Sequence, residues 1–402
     1  MKTTRIKFTN RDGIKLSARI ELPVNSRPLA YALFAHCFTC SKNLHAITNI
    51  SRALTMQGIG VFRFDFTGLG ESEGEFEGTN FSSNVDDLID AAGFMEDEYR
   101  APSILIGHSL GGAAVIFAAN RLENVKAVVT IATPSSPAHL KDVLQSSHKE
   151  IEEKGHAKVS IGGQPFTITK QFLDNLEEQN MKKNLRSLEA ALLIMHSPDD
   201  NIVGIENATE LYKMARHSRS FISLDGADHV LSDKKDSYHA GEMAAVWAKK
   251  YLPQEEEENQ PSSQVMARLT GESYITEIQS GKHSFLADEP KSAGGDDMGP
   301  SPYDIVTAGL GACTSMTLRM YANRKKWDLR EVRVHLDHSK KHIEDCATCD
   351  ESDDSKIDNF NRVIELEGDL DADQRNRLLE IANKCPVHRT LTGNIVIDTK
   401  LK

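Results

Sequence analysis

Six short apolar runs punctuate the first 250 residues: Leu29–His36, Gly58–Phe66, Pro102–Ser109, Val125–Thr133, Ala190–Ser197 and Ser218–Gly226. Helical patterns fill the intervals, as in NFSSNVDDLIDAAGFMEDEY, where an asparagine or serine can cap and acidic residues favour the first turn. Buried strands alternating with helices require a mostly parallel sheet with helices on both faces. Between Pro134 and Arg186 the pattern turns polar and irregular, with KVSIGGQPFTIT reading as a small hairpin in a short cap.

The alternation stops at YLPQEEEENQPSSQ, whose four consecutive glutamates, prolines and serines cannot pack a core. Three segments are therefore expected: a first domain over 1–252, a linker over 253–263 and a second domain over 264–402. At 402 residues the chain is too long for one ordinary core, which agrees. The second part mixes elements without strand–helix alternation, so it reads as α+β. A hairpin turns at Ser280-Gly281, and a long buried helix starts at Ser301-Pro302. EVRVHLDH and NRVIELEGDL are strands, DADQRNRLLEIANK is a helix and GNIVIDTKL is a closing strand.

A formal net charge of −12 disfavours nucleic acid or an anionic membrane as partner. The N-terminus has no apolar secretion segment and no later run is long enough to span a bilayer, so the cytoplasm is expected. Six cysteines are too few for a secreted disulfide framework at this length.

The segment ILIGHSLGG fits G-x-S-x-G around Ser109, where a buried strand ends and an apolar helix begins. Flanking glycines relieve a sharp turn, and the helix N-terminus places partial positive charge where an oxyanion would form. Alone, the pattern also suits a phosphate-binding turn or plain strand–helix punctuation. Three further features sit at strand ends in the matching order. Asp200 follows a strand and precedes Val203 by three, which favours it over Asp199; His229 lies in a loop after the last strand; and HCFTCSKN follows the first strong strand. His229 would accept the serine proton, Asp200 would orient the ring, and the N–H groups of Phe38 and Leu110 would hold the oxyanion. His36 and His108 are expected to orient loops; Cys37 and Cys40 could form a redox pair or half a metal site, with small fillers in the loop as the expectation.

With RFDFTGLGESEG as a glycine-rich turn behind the site, this part resembles the α/β-hydrolase esterases over about residues 1–252. The resemblance implies the α/β hydrolase fold and hydrolysis of carboxylic esters or related acyl compounds, and the short cap suggests a small or open-ended acyl ester substrate.

In GLGACTSMTLRM, Cys313 lies inside the predicted helix, after Gly309 and Gly311, whose helix-weakening presence suggests close packing. In KCPVHRTL, Pro386 suits the first helical position and makes Cys385 the N-cap, where a thiolate is favoured. Together with Pro302-Tyr303-Asp304, these motifs resemble the OsmC family of thiol hydroperoxide reductases over about residues 264–402. The resemblance implies an intertwined homodimer in which Cys313 attacks peroxide and Cys385 resolves. Asp304 stands where the family's peroxidases usually have glutamate. Their upstream arginine is missing: only Lys282 and Lys291 lie between Ser280 and Pro302. His338, His342, Cys346 and Cys349 give a spacing chemically adequate for zinc, but the close, acidic segment is expected to be a solvated loop. No cofactor and no metal are expected. The function read from the sequence is a serine esterase fused to an OsmC-like domain. In the alternatives, hydroperoxide reduction is the main activity, or the second domain only pairs two esterases.

Overall fold

A computed structural model describes residues 2–24, 26–37, 41–140, 145–161, 164–252, 264–269, 273–281, 283–342 and 356–401. Among the described residues, ten strands and eight helices precede the acidic segment. The strands are β1 (Lys2–Thr9), β2 (Lys15–Leu22), β3 (Ala30–Ala35), β4 (Ile59–Phe64), β5 (Ile104–His108) and β6 (Ala127–Ile131), followed by β7 (His156–Ile161), β8 (Gln164–Thr169), β9 (Ala191–His196) and β10 (Arg219–Ser223). The helices are α1 (His45–Met56), α2 (Phe81–Glu98), α3 (Leu110–Ala119) and α4 (Gln145–Lys154). Next come α5 (Lys170–Glu178), α6 (Met181–Ser187), α7 (Glu206–Met214) and α8 (Lys234–Lys249).

Eight strands form one sheet in the order β1-β2-β4-β3-β5-β6-β9-β10. The β1–β2 and β2–β4 pairs are antiparallel and every later pair is parallel, as the buried runs foretold. The middle strands are buried along their whole length, because apolar layers cover both faces. Phe81 and Val85 of α2, Val115 of α3 and Phe172 of α5 pack one face; Ile47 and Ile50 of α1 and Ala244 of α8 pack the other. The strand β10 differs from expectation. It is the sheet edge, and Phe221 is exposed, because no strand lies beyond it. The predicted hairpin in the polar segment is present as the antiparallel pair β7–β8. In α2, Asn80 and Ser83 form a reciprocal capping box, but no acidic residue occupies the first turn.

After the acidic segment come β11 (Val265–Leu269), β12 (Thr276–Ser280) and β13 (His283–Ala287) in one three-stranded sheet. They are followed by α9 (Pro302–Lys325), β14 (Asp328–His342), β15 (Lys356–Asp369), α10 (Ala372–Ala382) and α11 (Pro386–Leu391). Two compact units result: Met1–Thr270 with Glu277–Phe285, and Gly271–Thr276 with Leu286–Lys402. Within the first, Arg268 pairs with Glu277 at 2.7 Å and donates to Leu22 O at 2.9 Å, tying β11 and β12 to the end of β2. In the second, the long β14–β15 hairpin pairs in antiparallel register, and a small core of Leu318, Leu329, Leu378 and Ile381 joins α9, β14 and α10.

Three expectations for the second unit need correction. The helix α9 is not buried all round: its buried positions are Leu310, Thr314, Leu318 and Ala322, whereas Met316 and Met320 are 65% and 72% exposed. The small core covers only one stripe of it. GNIVIDTKL forms no strand, because no described strand pairs with it, and Val396 and Ile397 are exposed. Only Gly311 is close-packed, against a Leu336 methyl; nothing lies near a side chain added at Gly309. The acidic linker and the segment carrying Cys346 and Cys349 lie outside the described residues.

Candidate active site

The turn at Ser109 is built by close backbone approach. Ser109 has φ 56° and ψ −125°, a conformation that side chains other than glycine rarely adopt. Its N–H donates to Ile131 O at 2.8 Å, so the turn is fixed to the end of β6. A Cβ at Gly107 would stand 2.3 Å from Gly111 O, and one at Gly111 would stand 2.3 Å from His36 O. No side chain fits at either position. The glycines of GHSLGG are therefore demanded by packing of α3 against the ends of β3 and β5. Leu110 opens α3, and no described acceptor takes its N–H.

Ser109, His229 and Asp200 come together. Ser109 Oγ lies 3.1 Å from His229 Nε2, and His229 Nδ1 lies 2.8 Å from Asp200 Oδ2. With Nδ1–H donating to the carboxylate, Nε2 is free to accept from the serine hydroxyl. The D-x-x-V spacing has a local cause: Asp200 Oδ1 accepts the N–H of Ile202 at 2.8 Å and of Val203 at 2.9 Å, leaving Oδ2 for His229. Burial pushes the Asp200 carboxyl up, but His229 and these backbone donors outweigh it and hold it below the ordinary carboxylate range. Asp199 is exposed and accepts Gly226 N–H instead. Phe38 lies outside the described residues.

Three buried histidines surround this path. His108 Nε2–H donates to His229 O at 2.6 Å and so fixes the backbone of the loop that carries the imidazole. His36 Nδ1–H donates to Cys37 O at 2.8 Å, and its Nε2 accepts Phe66 N–H at 3.4 Å. His196 Nε2–H donates to Val203 O at 2.7 Å. Burial lowers all three pKa values, that of His108 to about 4 with the His229 charge adding to the effect. They stay neutral and orient loops. Cys37 is buried and disulfide-bonded, so the reading of it as a plain apolar filler is corrected.

One feature of the loop was not legible in the sequence. Lys42 is buried, with Nζ 2.5 Å from Asp65 Oδ2 and 2.8 Å from Glu71 Oε2, while its own N–H donates to Asp65 Oδ1 at 2.6 Å. Arg63 donates to Lys42 O and also pairs with Glu21. Lysines are rarely buried, so nothing in HCFTCSKN marked this one as an anchor. A cavity of about 10 Å³, room for about one water, lies between Phe66, Phe81, Asn84 and Leu110.

In the second unit, Cys313 and Cys385 also come together. Cys385 caps α11 and is buried, with Sγ accepting His388 N–H at 3.3 Å and facing the Cys313 thiol and Thr314 Oγ1. Burial pushes the Cys385 thiol up, but the His388 N–H, Cys313 and Thr314 together bring it below its ordinary value. Asp304 is placed otherwise. It closes the capping box of α9, with Oδ2 accepting from Ser301 Oγ at 2.7 Å, and no described contact joins it to either cysteine. His338 Nε2 lies 2.8 Å from Asp358 and its ring stacks on Tyr303 at 4.2 Å. No group of three potential metal ligands occurs among the described residues. Nor is any described helix long and apolar enough to cross a membrane.

Comparison with known proteins adds to this geometry. The family model described as serine aminopeptidase, S33 matches residues 41–149, and that described as OsmC-like protein matches residues 294–400. The solved esterase domain of a Rhodothermus marinus protein is 47% identical; the match covers 63% of this chain and 100% of that one, with a TM-score of 0.53. Uncharacterized protein YfhR of Salmonella typhi is 24% identical over 227 residues, 56% of this chain and 74% of its own. Palmitoyl-protein thioesterase ABHD10, mitochondrial, of Homo sapiens is 25% identical over 241 residues, 58% of this chain and 76% of its own.

The neutral state of His108 makes stability depend on pH. Its folded pKa is lowered, so the stabilisation is complete above the unfolded value of about 6.5 and is lost as pH falls towards about 4. In His108→Gln, which can still donate to His229 O, the loss of stability between neutral and acid pH should shrink by on the order of 3 kcal/mol. Denaturant unfolding at the two pH values measures it.

Proposed function

Since the chain belongs to the α/β-hydrolase esterases in its first part and continues into an OsmC-like domain, we propose that it hydrolyses carboxylic esters through Ser109, His229 and Asp200. The observation that carries this reading is the unbroken hydrogen-bonded path from Ser109 Oγ through His229 to Asp200 Oδ2. Ser109 Oγ attacks the ester carbonyl while His229 Nε2 takes its proton, and the imidazolium then protonates the leaving alkoxide. A water deprotonated by the same ring releases the acid and regenerates the serine. Asp200 stabilises the imidazolium, and Leu110 N–H, with Phe38 N–H as its expected partner, receives the oxyanion. In Ser109→Ala, kcat for a short p-nitrophenyl ester should fall by about 10³-fold or more while the fold persists. Turnover at the parental rate would remove Ser109 from the role.

The Cys313–Cys385 contact favours a second activity, reduction of organic hydroperoxides at the expense of a dithiol. In this reading Cys313, the more accessible of the two, meets the peroxide and buried Cys385 resolves. Cys313→Ser should abolish hydroperoxide consumption and leave ester turnover unchanged. Unchanged peroxide consumption would leave the OsmC-like part a purely structural role.

We also propose that this part pairs two chains into a homodimer. Val306, Met316 and Met320 leave an apolar stripe on α9, and Cys313 and Gly309 lie on the same helix face. Ile395–Ile397 supply an exposed apolar segment that pairs with no strand among the described residues. A second copy covers both and dries the surroundings of Cys313. The intact protein should sediment at twice the chain mass, and Met320→Glu should shift it to the single-chain mass; a monomeric parent protein rejects the pairing.

A further inference from the structure

Arg362 of β15 sends its guanidinium to the junction of α9, α10 and α11. Nη1 donates to Thr314 Oγ1 at 3.0 Å and to Ala382 O at 3.2 Å, and Nη2 donates to Asn383 Oδ1 at 2.7 Å. All three acceptors are neutral. Among the described residues no carboxylate pairs with this guanidinium, whereas Arg333 on the adjacent strand is surrounded by Glu331, Glu365 and Glu367. Arg362 therefore keeps an uncompensated positive charge two hydrogen bonds from Cys385.

Thr314 is the link. It is fully buried, and its hydroxyl has one proton to give and two acceptors competing for it: Leu310 O at 2.8 Å and Cys385 Sγ at 3.8 Å. A neutral thiol is the weaker acceptor, so the carbonyl takes the proton while Cys385 is protonated. A thiolate reverses the preference, because a hydrogen bond to a charged acceptor is about twice as strong as a neutral one. The guanidinium donating into the same oxygen polarises the O–H bond and strengthens that donation. We infer that Arg362 is the positioning residue of the thiol pair: acting through the Thr314 hydroxyl, it stabilises the Cys385 thiolate that faces Cys313.

The inference rests on the reading of Cys313 and Cys385 as a working pair and assigns Arg362 to one step of it. The Cys313 thiolate attacks the distal oxygen of an organic hydroperoxide; the S–O bond forms, the O–O bond breaks, and the alkoxide leaves as the alcohol after taking a proton. The Cys385 thiolate then attacks the sulfenic sulfur. The S–S bond forms, the S–O bond breaks, and hydroxide leaves as water on protonation. A dithiol reduces the disulfide and closes the cycle. Arg362 acts on the second step, by favouring the Cys385 thiolate over the thiol. The titratable and charged groups around Cys385 are Cys313 from α9, Arg362 from β15 and His388 from α11. Burial, with the Arg362 charge added, holds the His388 ring below its ordinary pKa, so it supplies no competing cation there.

The test uses the intact chain and reads the ionisation of Cys385 directly. Thiolate absorbance is titrated against pH for the parent protein, Arg362→Gln, Thr314→Val and Arg362→Lys, each after subtracting its own Cys385→Ser counterpart. Arg362→Gln still donates hydrogen bonds but has no charge. Thr314→Val leaves the Arg362 contacts to Ala382 and Asn383 in place but removes the hydroxyl. Both should raise the Cys385 midpoint by about one pH unit, and Arg362→Lys should recover part of that rise. With organic hydroperoxide, Arg362→Gln should accumulate severalfold more sulfenic acid on Cys313, trapped by a dimedone reagent. A parental midpoint in either Arg362→Gln or Thr314→Val overturns the inference and leaves Arg362 a clamp on the end of α10. Should Arg362→Gln fail to fold, Thr314→Val decides alone. A shifted midpoint without any peroxide consumption instead rejects the peroxidase reading and keeps the Arg362 assignment.

Discussion

The first turn of α3 lies so close to the ends of β3 and β5 that backbone touches backbone, and the serine site depends on that contact. A Cβ at Gly111 would meet both His36 O and Ala35 O, so the loop leaving β3 and the residue after the serine occupy fixed relative positions. Ser109 is held at positive φ between them, and its Oγ can point only above the sheet. The loop then needs an anchor further along, since residues just after a strand end have few ladder bonds to hold them. Lys42 supplies it. Its ammonium and its backbone N–H both bind Asp65, its carbonyl binds Arg63, and every one of these groups is out of water. A buried pair of this kind adds little net stability over an apolar packing, but leaving either partner alone is strongly destabilising. That asymmetry makes it a device for fixing geometry.

The parts of this architecture visible in the sequence are those where one residue type is physically obligatory. Glycine at 107 and 111 leaves no alternative, Asp200 must sit three before the N–H it captures, and His229 must follow the last strand to reach both neighbours. Long apolar runs marked the central strands because burial on both faces tolerates nothing else. Where several residue types serve, the sequence was silent. Lys42 reads as a surface lysine until Asp65 is seen beneath it. Arg362 alternates along a strand like its neighbours, and only the fold brings it to Thr314. The long helix read as buried because its composition is apolar, and composition does not say which stripe this chain itself covers. The closing strand failed for the same reason: a pattern specifies the capacity to pair, and the partner must be present for the ladder to form.

The two candidate sites pose opposite electrostatic problems, and their surroundings differ accordingly. At Ser109 the acting ring must accept a proton, so positive charge nearby would oppose the chemistry. The nearby histidines are kept neutral by burial, and the two buried cations are each tied to carboxylates: Lys42 to Asp65 and Glu71, Arg63 to Glu21. Asp200 faces His229 with a charge whose sign favours the imidazolium. At Cys385 a proton must be lost from a fully buried sulfur, and burial alone would prevent it. The opposing contributions are donors: the His388 N–H, the Cys313 thiol and the Thr314 hydroxyl. Among the described residues the guanidinium behind that hydroxyl is paired with neutral oxygens, so none of them cancels its charge before it reaches the sulfur. Neutralised cations around a base and an unneutralised cation behind an acid are what the two proposed reactions would separately require. Among the described residues no residue of one set belongs to the other, so a substitution at either candidate site leaves the groups of the second untouched.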